Sequence, residues 1–276
     1  MKVIEHVGQG VKVIEINILG PLELRDGDGA WIPRGPKVRK LLATLALRPG
    51  EVVDITKLGE ELWEDSPPAT MTATIRSHVY HLRLMLAGES GLPGAADLIS
   101  TEPTGYRLRA AADQIDAVRF ERLVDHGRLL LERGEPAGAS AALRQALSLW
   151  RGPALVDITC GRVLDGHVTR LAEARLRATE LRLEADLRLG RHRDLVPELR
   201  GLVAAHPLNE SLHAQLIETL WRIGRRAEAL TAFTDLRRTL ASELGVEPSP
   251  ELRLLHQTIL ANEPAYAGAW QQRVAS

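Results

Sequence analysis

Ala73-Thr74-Ile75-Arg76-Ser77-His78-Val79-Tyr80-His81-Leu82-Arg83 is the stretch from which the fold of this chain can be read. At about 100° per residue, Ile75, Val79, Leu82 and Leu86 fall within about 60° of one another, a single apolar stripe on a helix running from about Thr70 to Leu86. The opposite side carries Ala73, Thr74, Arg76, Ser77, Tyr80 and His81, flanked by His78 and Arg83. No acidic residue occurs between Ser66 and Gly88. Small side chains and hydrogen-bond donors without carboxylates suit the major groove, where donors reach guanine N7 and O6 and carboxylates are repelled by phosphate. Taken alone, the same face also reads as an ordinary solvated helix surface.

The flanking sequence weighs between the two. Arg34, Lys37, Arg39, Lys40 and Arg48 form a second acid-free cluster around an expected helix from Lys37 to Leu47, with Pro36 at its start and Pro49-Gly50 at its end. Glu51, Asp54, Glu60, Glu61, Glu64 and Asp65 crowd a helix over Ile55–Trp63, capped by Asp54. A basic side for phosphates and an acidic side turned away is the polarity a DNA-binding domain of low net charge needs. Short strands are expected at Val13–Leu19, Leu22–Leu24 and Ala30–Ile32, around the turn Asp26-Gly27-Asp28-Gly29. A hairpin is expected from Leu98–Thr101 and Tyr106–Leu108 through Glu102-Pro103-Thr104-Gly105, with Gly105 supplying a backbone angle that other residues resist. A small sheet, three helices and a hairpin make a winged helix–turn–helix. Tyr106 reads as a packing residue.

The chain has 276 residues, enough for two ordinary domains, and 45% are hydrophobic, which argues against wholesale disorder. Net charge is −1, so the bulk value says nothing about nucleic acid. Cys160 is the only cysteine, which rules out an internal disulfide and suits a reducing compartment. It reads as a small packed or surface residue rather than a nucleophile. The start is not a signal peptide and no apolar run reaches spanning length, so a cytoplasmic protein is expected, with no membrane partner.

Beyond about Ala112 the sequence reads as helix almost throughout. Gly134, Gly190 and Gly224 each follow an apolar helical run, and Gly190-Arg191 and Gly224-Arg225 lie 34 residues apart, the tetratricopeptide period. Trp150, Trp221 and Trp270 read as packing anchors rather than ligand residues. Intermixed charges such as Arg175, Arg182, Glu180 and Glu184 read as a solvated, ion-paired surface. The expected fold is mainly α with a small β component. The expected division is an extra N-terminal segment over residues 1–13, a winged helix–turn–helix over 14–111, an all-helical tetratricopeptide-like domain over 112–263, and a tail over 264–276.

Several strings resemble the Streptomyces antibiotic regulatory protein family. They are Ile18-Leu19-Gly20-Pro21-Leu22, Pro36–Ala43, Leu58–Trp63, Ala73–Arg83, and Ile99–Thr101 with Thr104–Leu108. The second half is similar to that family's bacterial transcriptional activation domain. The matching residues are Phe120–Leu123, Ala146–Leu155 (including Trp150-Arg151-Gly152-Pro153), His206–Glu210 and Glu243–Leu252. The resemblance implies an activator of a secondary-metabolite gene cluster in actinobacteria. Such a protein binds direct repeats near the −35 element as a homodimer and recruits RNA polymerase with its principal sigma factor. Carried onto this sequence, Thr74, Arg76, Ser77 and His81 face base edges. Arg34, Lys37, His78, Tyr80, Arg83, Thr101, Thr104 and Arg107 meet phosphates. Glu64, Asp65 and Ser66, in the loop before the reading helix, contact polymerase or sigma factor; the plainer reading is a solvated turn that helps start the next helix. The wing tip departs from the family in carrying Glu102 and Pro103 rather than a basic residue.

No Gly-x-x-x-x-Gly-Lys-Ser/Thr loop is present, so this is expected to be the small form of the family, without its ATPase module. The nine histidines show no metal spacing, and no cofactor and no catalytic residues are expected. Two alternatives stand beside the activator: a helical-repeat interaction scaffold, and a DNA-binding repressor.

Overall fold

The structure, a computed structural model, describes residues 13–261 apart from residue 28. Residues 1–12 of the N-terminal segment, Asp28 of the expected turn, and the tail with Trp270 lie outside the described residues. Two compact units emerge. The first takes the chain up to His126 together with Arg144–Ala178, and the second takes Gly127–Leu143 with the chain from Thr179 onward.

The first unit opens with an antiparallel meander of β1 (Glu15–Asn17), β2 (Glu23–Arg25) and β3 (Ala30–Trp31). Helix α1 (Pro36–Ala46) has Pro36 in its first turn, where the missing N–H costs nothing. Strand β4 (Val52–Asp54) follows, then α2 (Ile55–Trp63), whose cap is the Asp54 carboxylate accepting the Thr56 N–H at 2.7 Å. Helix α3 (Met71–Ser90) buries Ile75, Val79, Leu82 and Leu86, the expected stripe. Each such side chain contributes about 1.5–3 kcal/mol of burial energy. Strands β5 (Ile99–Thr101) and β6 (Gly105–Leu108) form the wing, and the second sheet has the order β4-β6-β5.

Strand β4 is an addition to the expected elements: of its three residues the sequence marks only Asp54, as a cap and a member of the acidic cluster. Its pairing with β6 changes the account of Gly105. That glycine takes no positive φ; a Cβ placed there would lie 1.9 Å from the Val53 carbonyl oxygen. Close approach of two backbones, not a left-handed angle, demands glycine at this position.

Helix α4 (Asp116–Glu132), α5 (Pro136–Ser148) and α6 (Arg162–Arg188) contribute to both units. Within the first unit the chain around the boundary expected at 111/112 is held by specific contacts. Ile115 bridges Ile16 in parallel, and the buried Asp116 carboxylate accepts the N–H groups of Ile18 at 2.8 Å and Leu19 at 2.9 Å. Burial pushes the Asp116 carboxyl above the usual range, against the pull of those N–H groups and of Arg151. The loop after α5 docks on the same turn. Arg151 N–H donates to the Leu19 carbonyl at 2.7 Å, and Leu155 N–H donates to that of Gly20 at 2.8 Å. Asp157 accepts the Leu22 N–H at 3.0 Å and pairs with Arg39. Trp150 is buried edge-on against Phe120, centroids 5.4 Å apart, with the Arg175 guanidinium over its ring.

Glu61 belongs to this joint and not to a solvated acidic face. It is fully buried and caps α6, accepting the N–H groups of Gly161 at 2.6 Å, Val163 at 2.9 Å and Leu164 at 3.0 Å. Lys40 supplies the countercharge, with Nζ 3.7 Å from its carboxylate. Two cations of the expected basic face, Arg39 and Lys40, are thereby committed to ion pairs inside the unit.

The second unit is helical throughout its described residues. Helices α7 (His192–Ala205), α8 (Glu210–Arg222), α9 (Arg226–Leu244) and α10 (Pro250–Ala261) pack each on the next. Gly134, Gly190 and Gly224 take positive φ after α4, α6 and α8, as helix stops do. Asn209 caps α8 by accepting the Leu212 N–H at 3.1 Å. The core is aliphatic, with Leu199, Ile217, Leu220, Leu236 and Ile259 at or near full burial. Asp186 is buried among Arg182, Arg191 and the Ser140 hydroxyl.

Candidate nucleic-acid interface

Packing the stripe of α3 inward leaves Ala73, Arg76, Ser77, Tyr80 and His81 exposed. Thr74 is half-buried, its hydroxyl donating to the Thr70 carbonyl at 3.0 Å. The Tyr80 and His81 rings meet edge-on, centroids 5.8 Å apart. Glu89, in the last turn, is the only acidic residue of the helix. The surface expected to read bases is therefore open, and its one carboxylate sits at the far end.

His78 lies at the flank of that surface. It is half-buried and its Nε2 has no hydrogen-bond partner. Burial holds its pKa below the ordinary value, helped by nearby Lys37 and His81, so the imidazole is neutral at pH 7. Lys37 lies with Nζ 4.2 Å over the Trp63 ring. Arg34 is exposed ahead of α1.

The wing is more self-contained than its composition suggests. Glu102 lies 3.3 Å from Arg107 and 3.8 Å from Arg109, and accepts the Ser100 hydroxyl at 2.9 Å. The carboxylate that marked a departure at the wing tip thus neutralises part of the wing's own charge. Thr101 and Thr104 are exposed. Arg83, expected at a phosphate, has its guanidinium on the wing: Nε and Nη2 donate to the Ile99 carbonyl at 3.0 and 2.7 Å, and Nη2 also reaches the Thr101 hydroxyl at 2.9 Å.

The loop between α2 and α3 is exposed from Glu64 to Thr70. Glu64 takes φ 52°, uncommon outside glycine and asparagine, and Asp65 lies 3.3 Å from Arg162 with both side chains solvated. Ser66 donates its N–H to the Trp63 carbonyl at 3.1 Å. Among the described residues no group of His, Cys, Asp or Glu is placed to hold a metal, and no helix is long and apolar enough to cross a membrane.

Comparison with known proteins is consistent along the chain. The family model described as transcriptional regulatory protein, C terminal, matches residues 29–108, and that of the bacterial transcriptional activator domain matches residues 115–260. The regulatory protein DnrI of Streptomyces peucetius is 43% identical over 254 residues, covering 91% of this chain and 93% of that protein. The regulatory protein AfsR of Streptomyces griseus is 37% identical over 261 residues, covering 91% of this chain and 26% of that protein. The chain thus spans nearly all of one relative and about a quarter of the other. The solved structure of Mycobacterium tuberculosis EmbR in complex with a low affinity phosphopeptide superposes with a TM-score of 0.87 at 33% identity, over 92% of this chain and 66% of that one.

Proposed function

The chain belongs to the Streptomyces antibiotic regulatory protein family of DNA-binding transcriptional activators and not to an enzyme family, and on that premise we propose how it meets its promoter. Two copies bind direct repeats near the −35 element of a secondary-metabolite gene cluster. They recruit RNA polymerase with its principal sigma factor. The setting is the cytoplasm, at the nucleoid. The winged helix over residues 14–111 reads the DNA, and the helical domain over 112–263 supports it and offers protein contacts.

The observation that carries this reading is the exposed face of α3, which has no carboxylate before Glu89 and is small enough at Ala73 and Ser77 for close approach. On it Thr74, Arg76, Ser77 and His81 are assigned to base edges, with Arg and His as donors to guanine. Tyr80, Lys37, Arg34 and His78 on the helical side, and Thr101, Thr104 and Arg107 on the wing, are assigned to the backbone. His78, neutral at pH 7, acts as a hydrogen-bond donor rather than a charge. Glu64, Asp65 and Ser66 are assigned to polymerase or its sigma factor.

The test is binding of the purified protein to a promoter fragment carrying the repeats, as a function of salt, followed by transcription with purified polymerase. Affinity should fall steeply as salt rises, because bound phosphates release counterions, and transcript should increase. Salt-insensitive or absent binding would leave an interaction scaffold, and a fall in transcript would mark a repressor.

A further inference from the structure

We infer that Arg83 is a positioning residue, a strut that sets the wing against α3, and that it serves DNA binding through the place it gives β5 rather than by touching a phosphate. This rests on the reading of α3 and the wing as the DNA-binding surface.

The strut follows from the hydrogen-bond ladder. Arg109 N–H donates to the Leu98 carbonyl, and Glu102 and Gly105 exchange both their backbone bonds. In an antiparallel pair such exchanges fall on alternate residues, so Leu98, Ser100 and Glu102 face β6 while the backbone groups of Ile99 and Thr101 face the other way. Strand β5 is the edge of its sheet. The Ile99 carbonyl, on a buried residue, is therefore an edge acceptor that the sheet leaves unpaired. The Arg83 guanidinium fills that need with two nitrogens on one oxygen, at 3.0 and 2.7 Å, and closes on Thr101 with a third contact at 2.9 Å. Guanidinium geometry is what permits it. The planar fork presents adjacent N–H groups in fixed directions, which a lysine ammonium does not. Arg107 and Arg109 share the one carboxylate of Glu102, so part of the wing's charge is held within the wing. Beyond the apolar core they share, the helix assigned to bases and the hairpin assigned to the backbone are tied by this polar side chain.

Arg83→Lys separates a strut from a phosphate contact, since lysine keeps the charge and loses the fork. Two readouts on the full chain are needed: affinity for the repeat-bearing fragment across a salt series, and hydrogen exchange of the Ser100 and Arg109 amides without DNA. For a strut, Arg83→Lys binds about tenfold more weakly, as loss of one charge-assisted hydrogen bond implies. Its salt slope stays at the wild-type value, and both amides exchange faster. Thr101→Val, which leaves the charge untouched and removes one of the three contacts, gives a smaller increase in exchange and serves if Arg83→Lys does not fold. Wild-type binding by Arg83→Lys, or a slope lower by about one in Arg83→Ala with unchanged exchange, overturns the proposal. If the wild-type protein shows no salt-dependent binding, the DNA-binding reading fails, while the exchange measurement still decides whether Arg83 holds the wing.

Discussion

The carboxylate of Glu61 lies 2.6 Å from the backbone nitrogen of Gly161, although the two are one hundred residues apart. A residue of α2 thereby supplies the cap for α6, whose first N–H groups have no partner within the helix. Removal of the carboxylate strands those groups and leaves Lys40 uncompensated. Glu61→Ala should destabilise the protein by about 3 kcal/mol or more, the range for breaking a buried charged pair, read as a lower urea midpoint. A variant with unchanged midpoint would mean that the cap is not formed.

Two glycines should behave differently although both resist substitution. Gly105→Ala puts a methyl group 1.9 Å from a backbone oxygen that cannot move without breaking the β4–β6 pairing. Gly134→Ala meets no atom within 4 Å and carries only the cost of φ 75°. The first should cost about 3 kcal/mol or more and the second about 1–2 kcal/mol. Thermal melts of the two variants check the order.

What was legible in the sequence is what local rules govern. The α3 stripe, the Asp54 cap, Pro36 at the head of α1 and the glycine stops each depend on a few neighbouring residues, and all appear in the structure. Strand β4 was missed because three residues carry too little alternation to distinguish a strand from a lead-in to a helix. Glu61 was misplaced because charge clusters are read as surface by default, and its partners lie one hundred residues away. Arg83 was given a phosphate by the family resemblance, which carries no information on its contacts within this chain. Its backbone acceptor on β5 becomes visible only once the sheet's register is known.

On DNA, Arg76→Ala and His81→Ala should each weaken binding to the cognate repeats by about 1–3 kcal/mol while leaving random DNA little affected. Lys37→Ala should weaken both alike and lower the salt slope by about one. Titrations on cognate and scrambled fragments distinguish the two behaviours; equal losses for Arg76→Ala on both fragments would remove it from the base edges.

The loop before α3 can be tested without touching DNA binding. The Asp65–Arg162 pair is solvated on both sides and contributes little to stability. The double variant Glu64→Ala with Asp65→Ala should keep the wild-type melting temperature and DNA affinity and lose transcript in the purified system. Full transcript would end the polymerase assignment.

Acidification should act through His213. Burial holds its pKa below the ordinary value of about 6.5, against the opposing pull of the Pro207 carbonyl and of Glu210. The folded state therefore binds this proton less readily than the unfolded chain. The associated stability is present above the unfolded pKa and is lost as pH falls through the lower, folded one. Urea melts from pH 7.5 down to pH about 5 should show the gap between wild type and His213→Gln narrowing with acid. A gap independent of pH would mean that the imidazole is not shielded.

The first compact unit ignores the border between the two halves of the sequence, taking in the loop after α5 and the start of α6 as well as the winged helix. An exchange of gene segments at residue 112 would set one protein's Glu61 against a stranger's helix start, and one protein's Ile18–Leu19 turn against a stranger's Asp116. Such hybrids would carry their damage far from the DNA. The winged helix and the segments that steady it within this unit are matched to each other, so trading whole domains between relatives should cost stability.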